Sequence, residues 1–166
     1  MKSYRVFIAG LLLALTSSQA GAEQIGEVST AFKLIGANHK IVLEAFDDPK
    51  IAGVSCFLSR AKKGGVSGTL GLATDPSDAS IACRQTGPIK YLDKLEAGED
   101  VFKQRTSVLF KTMQVVRFYD AARNTLIYLT YSDKLIDGSP KNSLSAVAVA
   151  PWGANGELPS PPGYKE

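Results

Sequence analysis

The sequence holds one histidine, one tryptophan and two cysteines among 166 residues. Each scarcity closes a route to function. Structural zinc takes about four Cys or His ligands, more than this chain can supply. Cys56 and Cys83 stand far apart, so the Cys-x-x-Cys spacing of a redox-active pair is absent. His39 would have to be any imidazole base, yet no Gly-x-Ser-x-Gly elbow supplies a nucleophile for it. A structural role at the start of a strand, beside Lys40, is its plainer reading. No Walker pattern is present, so nucleotide binding lacks support. No EF-hand spacing is present either. Asp47, Asp48, Asp75 and Asp78 offer hard oxygens, but Asp next to Pro is ordinary turn chemistry. Neither a metal nor a cofactor is expected.

Charge of one sign is also lacking. The chain has 19 basic and 16 acidic residues, a formal net charge of +3. Without Lys2 and Arg5 the balance falls to 17 against 16, or +1. A nucleic-acid binder normally carries a strong basic excess. Lys103, Arg105, Lys111 and Arg117 do alternate with Phe102, Phe110 and Phe118, a pattern that also suits single-strand binding. At near-neutral charge it reads as core aromatics with charges on an outer face.

No apolar run reaches the roughly 20 residues a membrane-spanning helix needs. The longest uncharged apolar stretch, Val6 to Thr16, instead follows Lys2 and Arg5 and precedes Ala20-Gly21-Ala22. A basic start, a short apolar centre and small residues at the end are the parts of a secretory signal peptide. Residues 1–22 are therefore expected to be removed after Ala22, leaving a protein with no membrane span in an oxidising compartment. There the even pair Cys56 and Cys83 reads as one structural disulfide, with two buried free thiols as the alternative.

What is present has the alternation of strands. Val54, Cys56 and Leu58 share one face, and Ile81 shares another with Cys83, so both cysteines point inward. Glu27 to Lys33 and His39 to Phe46 read as strands joined near Gly36-Ala37-Asn38. The second, with Ile41, Val42, Leu43, Ala45 and Phe46, is apolar enough to be covered on both sides. Asp47-Asp48-Pro49 stops it. Residues 61–78 form a Gly-rich stretch between the cysteines. Tyr91 to Ala97 is a short helix candidate ended by Gly98. Ser107 to Tyr119 and Thr125 to Tyr131 make the strongest hairpin signal, with a bulge near Thr112-Met113-Gln114. Ser143 to Val149 is a last strand. Beyond it Pro and Gly dominate, and residues 153–166 read as a mobile tail.

The expected fold is a single mainly β domain over residues 23–152. It is an antiparallel sandwich or small barrel of about six to seven strands with one short helix. A sheet carrying more helix is the rival.

Several sequence words together resemble the CreA family of small secreted proteins. They include Phe32-Lys33-Leu34-Ile35-Gly36, His39-Lys40-Ile41-Val42, Ser59-Arg60-Ala61-Lys62 and Ser77-Asp78-Ala79-Ser80. Gly87-Pro88-Ile89, Val115-Val116-Arg117-Phe118-Tyr119-Asp120 and Pro151-Trp152 extend the likeness across the domain. The two cysteines fall where that family has them. The resemblance implies a periplasmic protein of a Gram-negative bacterium and carries no catalytic or ligand residue onto this chain.

One stretch stands out as a candidate contact site. Arg60, Lys62 and Lys63 precede Gly64-Gly65, and glycine-freed amides flanked by cations can hold an anion. An ordinary solvated loop is the bland reading of the same residues. The expected role is a binding module for an envelope protein or a small acidic ligand. The alternative is a small periplasmic hydrolase whose active site the sequence does not reveal.

Overall fold

The structure is a computed structural model that describes residues 21–31, 38–64, 79–105, 112–132, 141–159 and 161–163. Among the described residues eight strands follow one another: β1 Glu23–Ala31, β2 His39–Asp47, β3 Ile51–Lys62, β4 Ala79–Tyr91, β5 Glu99–Arg105, β6 Thr112–Asp120, β7 Thr125–Ser132 and β8 Asn142–Ala148. They form two antiparallel meanders, β1-β2-β3-β4 and β5-β6-β7-β8. Antiparallel neighbours joined in sequence are the topology that short connections allow.

The inner faces follow the period of two. In β2, Val42, Glu44 and Phe46 are buried, and in β3, Val54, Cys56, Leu58 and Arg60 are. In β7, Leu126, Tyr128, Thr130 and Ser132 turn inward. Phe46 of one sheet stacks on Phe102 of the other with ring centroids 4.8 Å apart. Aromatic stacking of this kind adds about 0.5–1.5 kcal/mol beyond area burial.

The sheets meet along one side. The Cys83 N–H donates to Ser145 Oγ at 2.8 Å. Gln85 Nε2 donates to the Ala150 carbonyl at 2.9 Å, and the Ala150 N–H donates to Gln85 Oε1 at 3.1 Å. This seam covers the free edges of β4 and β8 with side chains rather than with a backbone ladder. The result is a sandwich of two four-stranded sheets, not a closed barrel.

Cys56 and Cys83 are bonded, as their inward phasing and the secretory reading anticipated. They face each other directly in the β3–β4 register, with Cα atoms 4.0 Å apart. Both are buried in the core.

Four expectations need correction. The strands number eight rather than six or seven, and no helix occurs among the described residues. Tyr91, the first residue of the helix candidate, is the last residue of β4. The Leu92 N–H is then taken by the Lys50 carbonyl at 2.8 Å. Leu95 is buried while Leu92 is exposed. A seven-residue segment cannot recover the cost of nucleating a helix once its backbone has tertiary partners. The additional strand, β5, was hidden because its register shifts between Asp100 and Phe102, so adjacent Val101 and Phe102 are both buried. That shift also replaces the bulge expected near Met113. The β6–β7 ladder runs without interruption from Met113–Ser132 to Asp120–Thr125. Finally, β2 is not covered on both sides: Ile41 and Leu43 face outward and are exposed.

The hairpin between β6 and β7 was legible. Asn124 sits at φ 44°, a conformation Asn tolerates, and accepts the Tyr119 hydroxyl at 2.8 Å.

Candidate functional site

Two clusters of ionisable side chains lie inside the sandwich. The first closes the end that carries the β2–β3 turn. Asp48 Oδ1 accepts the N–H groups of Lys50 at 2.8 Å and Ile51 at 3.1 Å, which fixes the turn around Pro49. The same carboxylate receives Arg117 Nη1 from β6 and the Tyr128 hydroxyl from β7 at 2.7 Å. Arg117 Nη2 goes on to Glu99 at 2.6 Å, and Glu99 pairs with Lys50. One turn of the first sheet is thereby bound to three strands of the second. Burial, followed by the Asp48 charge and hydrogen bond, raises the Tyr128 hydroxyl far above its ordinary range. Burial also pushes Tyr91 up to about 12, with Tyr119 adding and Arg117 opposing.

The second cluster lies on the inner face of β2 and β3. Arg60 holds Glu44 through two hydrogen bonds, Nε to Oε2 at 2.6 Å and Nη2 to Oε1 at 2.9 Å. Both side chains are about 5% exposed. Lys62 Nζ stands 3.6 Å from the same carboxylate. Burial pushes the Glu44 carboxyl up, but hydrogen bonds and charge from Arg60 and Lys62 outweigh it and hold the carboxyl below its usual range.

This places the sequence-derived contact residues. Arg60 points into the sandwich, and Lys62 lies beside Glu44. Lys63 is exposed and has a polar partner. The Gly64 N–H, one of the amides proposed to hold an anion, donates instead to His39 Nδ1 at 2.9 Å. That bond gives the lone histidine a structural job. The rest of the Gly-rich stretch, with Asp75 and Asp78, falls outside the described residues. Asp47 accepts the Ser55 hydroxyl at 2.7 Å. No group of three or more potential metal ligands occurs among the described residues.

The surface with an unmet physical demand is elsewhere. On the outer face of the first sheet, the register sets Val28 beside Ile41, Gly26 beside Leu43 and Ala45 beside Phe57. It then sets Ile41 beside Ala61, Leu43 beside Ser59, Phe57 beside Ala82 and Ser59 beside Ser80. Charge on this face lies toward the β2–β3 turn, where Glu23 stands beside Ala45 and Ser55 beside Asp47 and Arg84. Ile25, Val28, Ile41, Leu43 and Phe57 are 38–62% exposed, a group of large apolar side chains left in water. Two shallow depressions, about 310 and 210 Å³, adjoin at Ser59 and Ser80. Ile41, Arg60, Ala61 and Ala79 also line the first, and Ile25, Leu43 and Phe57 border the second. A contiguous apolar patch of this kind marks an interaction surface more often than scattered exposed residues do.

Sequence reasoning did not single out this face. The signal was Ile41-Val42-Leu43, apolar on both phases of a strand. With no helix among the described residues to lie over the sheet, one phase faces solvent.

Comparisons with known proteins bear on the whole chain rather than on this face. No solved structure matches it. Protein CreA of Escherichia coli strain K12 is 57% identical over 153 residues, covering 90% of this chain and 98% of that protein. Protein CreA of strains O6:H1 and O157:H7 matches to the same extent. The profile of the family described as "CreA protein" matches residues 25–152, so the chain belongs to the CreA family.

Proposed function

We propose that the chain is exported, processed after Ala22, and works in the periplasm as a disulfide-bonded module that binds an envelope protein. Three features support export: the basic start, the short apolar run and the Ala20-Gly21-Ala22 end. A fourth is the position of β1, whose first residue, Glu23, is the residue after the proposed cut. The observation that carries the binding role is the apolar stretch of the outer face of β1 to β4, bordered toward the β2–β3 turn by Glu23, Asp47 and Arg84. A soluble sheet normally turns polar side chains to water on its open face. Here Val28, Ile41, Leu43 and Phe57 stand together on the exposed phase.

The hydrolase reading ranks second. Glu44 is engaged by Arg60, and Asp48 by Arg117 and Tyr128. A general acid or base must reach substrate at hydrogen-bond distance, and these carboxylates are committed elsewhere. An acidic small ligand held by Arg60, Lys62 and Lys63 ranks behind the protein partner for the same reason.

The test has two parts. N-terminal sequencing of the exported protein should read from Glu23. Quantitative affinity capture from periplasm should then compare wild type with Phe57→Lys and Leu43→Lys, both at exposed positions. Proteins enriched by wild type and lost in both variants support the reading. An unchanged set of captured proteins contradicts it.

A further inference from the structure

The chain after β8 has a pattern that the sandwich does not use. The family profile stops at residue 152, shortly after Ala150 makes its two bonds to Gln85. A turn follows. Gly153 sits at φ 79°, the Gly156 N–H donates to the Gly153 carbonyl at 3.4 Å, and a Cβ at Gly156 would stand 2.4 Å from the Trp152 carbonyl oxygen. Both positions call for glycine. Leu158-Pro159-Ser160-Pro161-Pro162 comes next. Each proline fixes its own φ at about −65° and drives the residue before it out of the helical region. Leu158 and Ser160 both precede prolines, so the sequence holds this whole run to extended polyproline-II backbone. That helix makes no backbone hydrogen bonds of its own, and among the described residues none involves 157–163.

Polyproline II has three residues per turn. Leu158 and Pro161 therefore share one edge, Pro159 and Pro162 the next, and Ser160 and Gly163 the third. Two edges are apolar, and the third is small and polar. Leu158 is 55% exposed, and Pro162 is exposed as well.

We infer that Leu158 to Pro162 is a polyproline-II ligand whose two apolar edges dock in an aromatic-lined groove of a partner protein. This goes beyond the outer-face reading and uses a different part of the chain.

Three arguments choose this occupant. Pro-x-x-Pro segments are read by grooves of aromatic side chains, whose flat rings fit between the ridges of the helix. The prolines lack N–H groups, so the run cannot join a sheet edge as a ladder strand. Its backbone is already restricted, so docking loses little further conformational entropy. A plain stiff spacer would share that restriction, but it has no use for a Leu that completes an apolar edge with Pro161. A second copy is the weaker host. The exposed large aromatics among the described residues, Phe57, Phe118 and Trp152, stand on β3, on β6 and after β8, whereas a groove needs rings side by side.

The test begins with quantitative affinity capture from periplasm on the exported, disulfide-bonded protein. The baits are wild type, the double variant Pro159→Ala with Pro162→Ala, Leu158→Ala, Ser160→Ala and Phe57→Lys. A protein enriched by wild type is then purified and titrated with a synthetic peptide of residues 156–166, read by NMR shifts of its aromatic side chains. The double variant should lose that protein and Leu158→Ala should weaken its capture, while Ser160→Ala and Phe57→Lys keep it. The wild-type peptide should bind at least about tenfold tighter than the double-alanine peptide and shift aromatic resonances. Equal thermal midpoints across the tail variants separate lost binding from lost fold. Loss in Phe57→Lys alone would overturn the tail proposal and keep the outer-face reading. Equal capture by all tail variants would make the run a spacer and overturn the proposal. Equal loss in Ser160→Ala and the double variant, or binding that leaves the aromatic resonances unmoved, would overturn docking by the two apolar edges. Capture of this chain itself through the tail would show a second copy as host and overturn the hetero-partner.

Discussion

Arg117 and Asp48 lie 69 residues apart in sequence and meet as an ion pair between the two sheets, both side chains essentially removed from water. Removing one partner of a buried pair typically costs about 3–5 kcal/mol, because the other charge stays behind unpaired. Arg117→Leu should therefore lower the unfolding free energy by about that amount in urea titration. A loss below about 1 kcal/mol would mean that Tyr128 and the turn amides hold Asp48 without help.

The disulfide gives a second expectation. Cys56 and Cys83 enclose a segment 27 residues apart, and the chain-entropy model assigns such a link about 3–4 kcal/mol. Reduction should raise the intact mass by about two hydrogens. Cys83→Ser should destabilise by roughly 2–5 kcal/mol, read from the same denaturant titration. An oxidised protein whose mass does not change on reduction would contradict the bond.

Alkaline pH should weaken the fold through its tyrosines. Tyr91 is raised by burial to about 12 in the folded protein, from an ordinary value of 10.0. A raised folded value means that the stabilising difference is whole below pH 10 and is lost as pH rises toward 12. The slope attributable to one such group is about 1.4 kcal/mol per pH unit. Tyr128 shifts in the same direction. The Tyr91 hydroxyl is buried without a hydrogen-bond partner, as is Arg117 Nε. Tyr91→Phe should thus change stability little at neutral pH and flatten the alkaline decline. A steep loss at neutral pH would show that a water bridges the hydroxyl to its neighbours.

The end of the chain should be dispensable. The family match stops at residue 152. Trp152 and Leu158 are about half exposed, and the Gly156 N–H reaches only the nearby Gly153 carbonyl at 3.4 Å. Truncation after Gly153 should leave the thermal midpoint nearly unchanged. A drop of many degrees would mean that the tail packs on the sandwich.

Much of the fold could be read from spacing, and the failures have physical causes. Val54-Cys56-Leu58 and Ile81-Cys83 revealed their inward phase because each strand alternates cleanly. β5 did not, because a bulge put Val101 and Phe102 in the core together and charged neighbours masked both. Glu44 and Arg60 looked like surface charges by residue type. Their positions, two residues from Val42 and Phe46 and from Leu58, already placed them in the inward phase. Arg117 carried the same hint, two residues beyond Val115. Period-two counting identifies a face, but it does not say that a buried acid and a buried base are each other's partner. The contact set Arg60, Lys62 and Lys63 was chosen for charge, and charge of that kind is satisfied by Glu44 in the first two. The outer apolar face becomes legible only once Ile41 and Leu43 are seen to be exposed, with no described element lying over β2.

The most direct test of the partner-binding account is site-specific photo-crosslinking in living cells. A photoreactive residue would replace Val28, Leu43 or Phe57 on the outer face, with Leu144 as an exposed apolar control on the second sheet. The account predicts a common adduct from the three outer-face positions and none of that species from the control. Equal adducts from all four positions, or a specific adduct from the control alone, would contradict it.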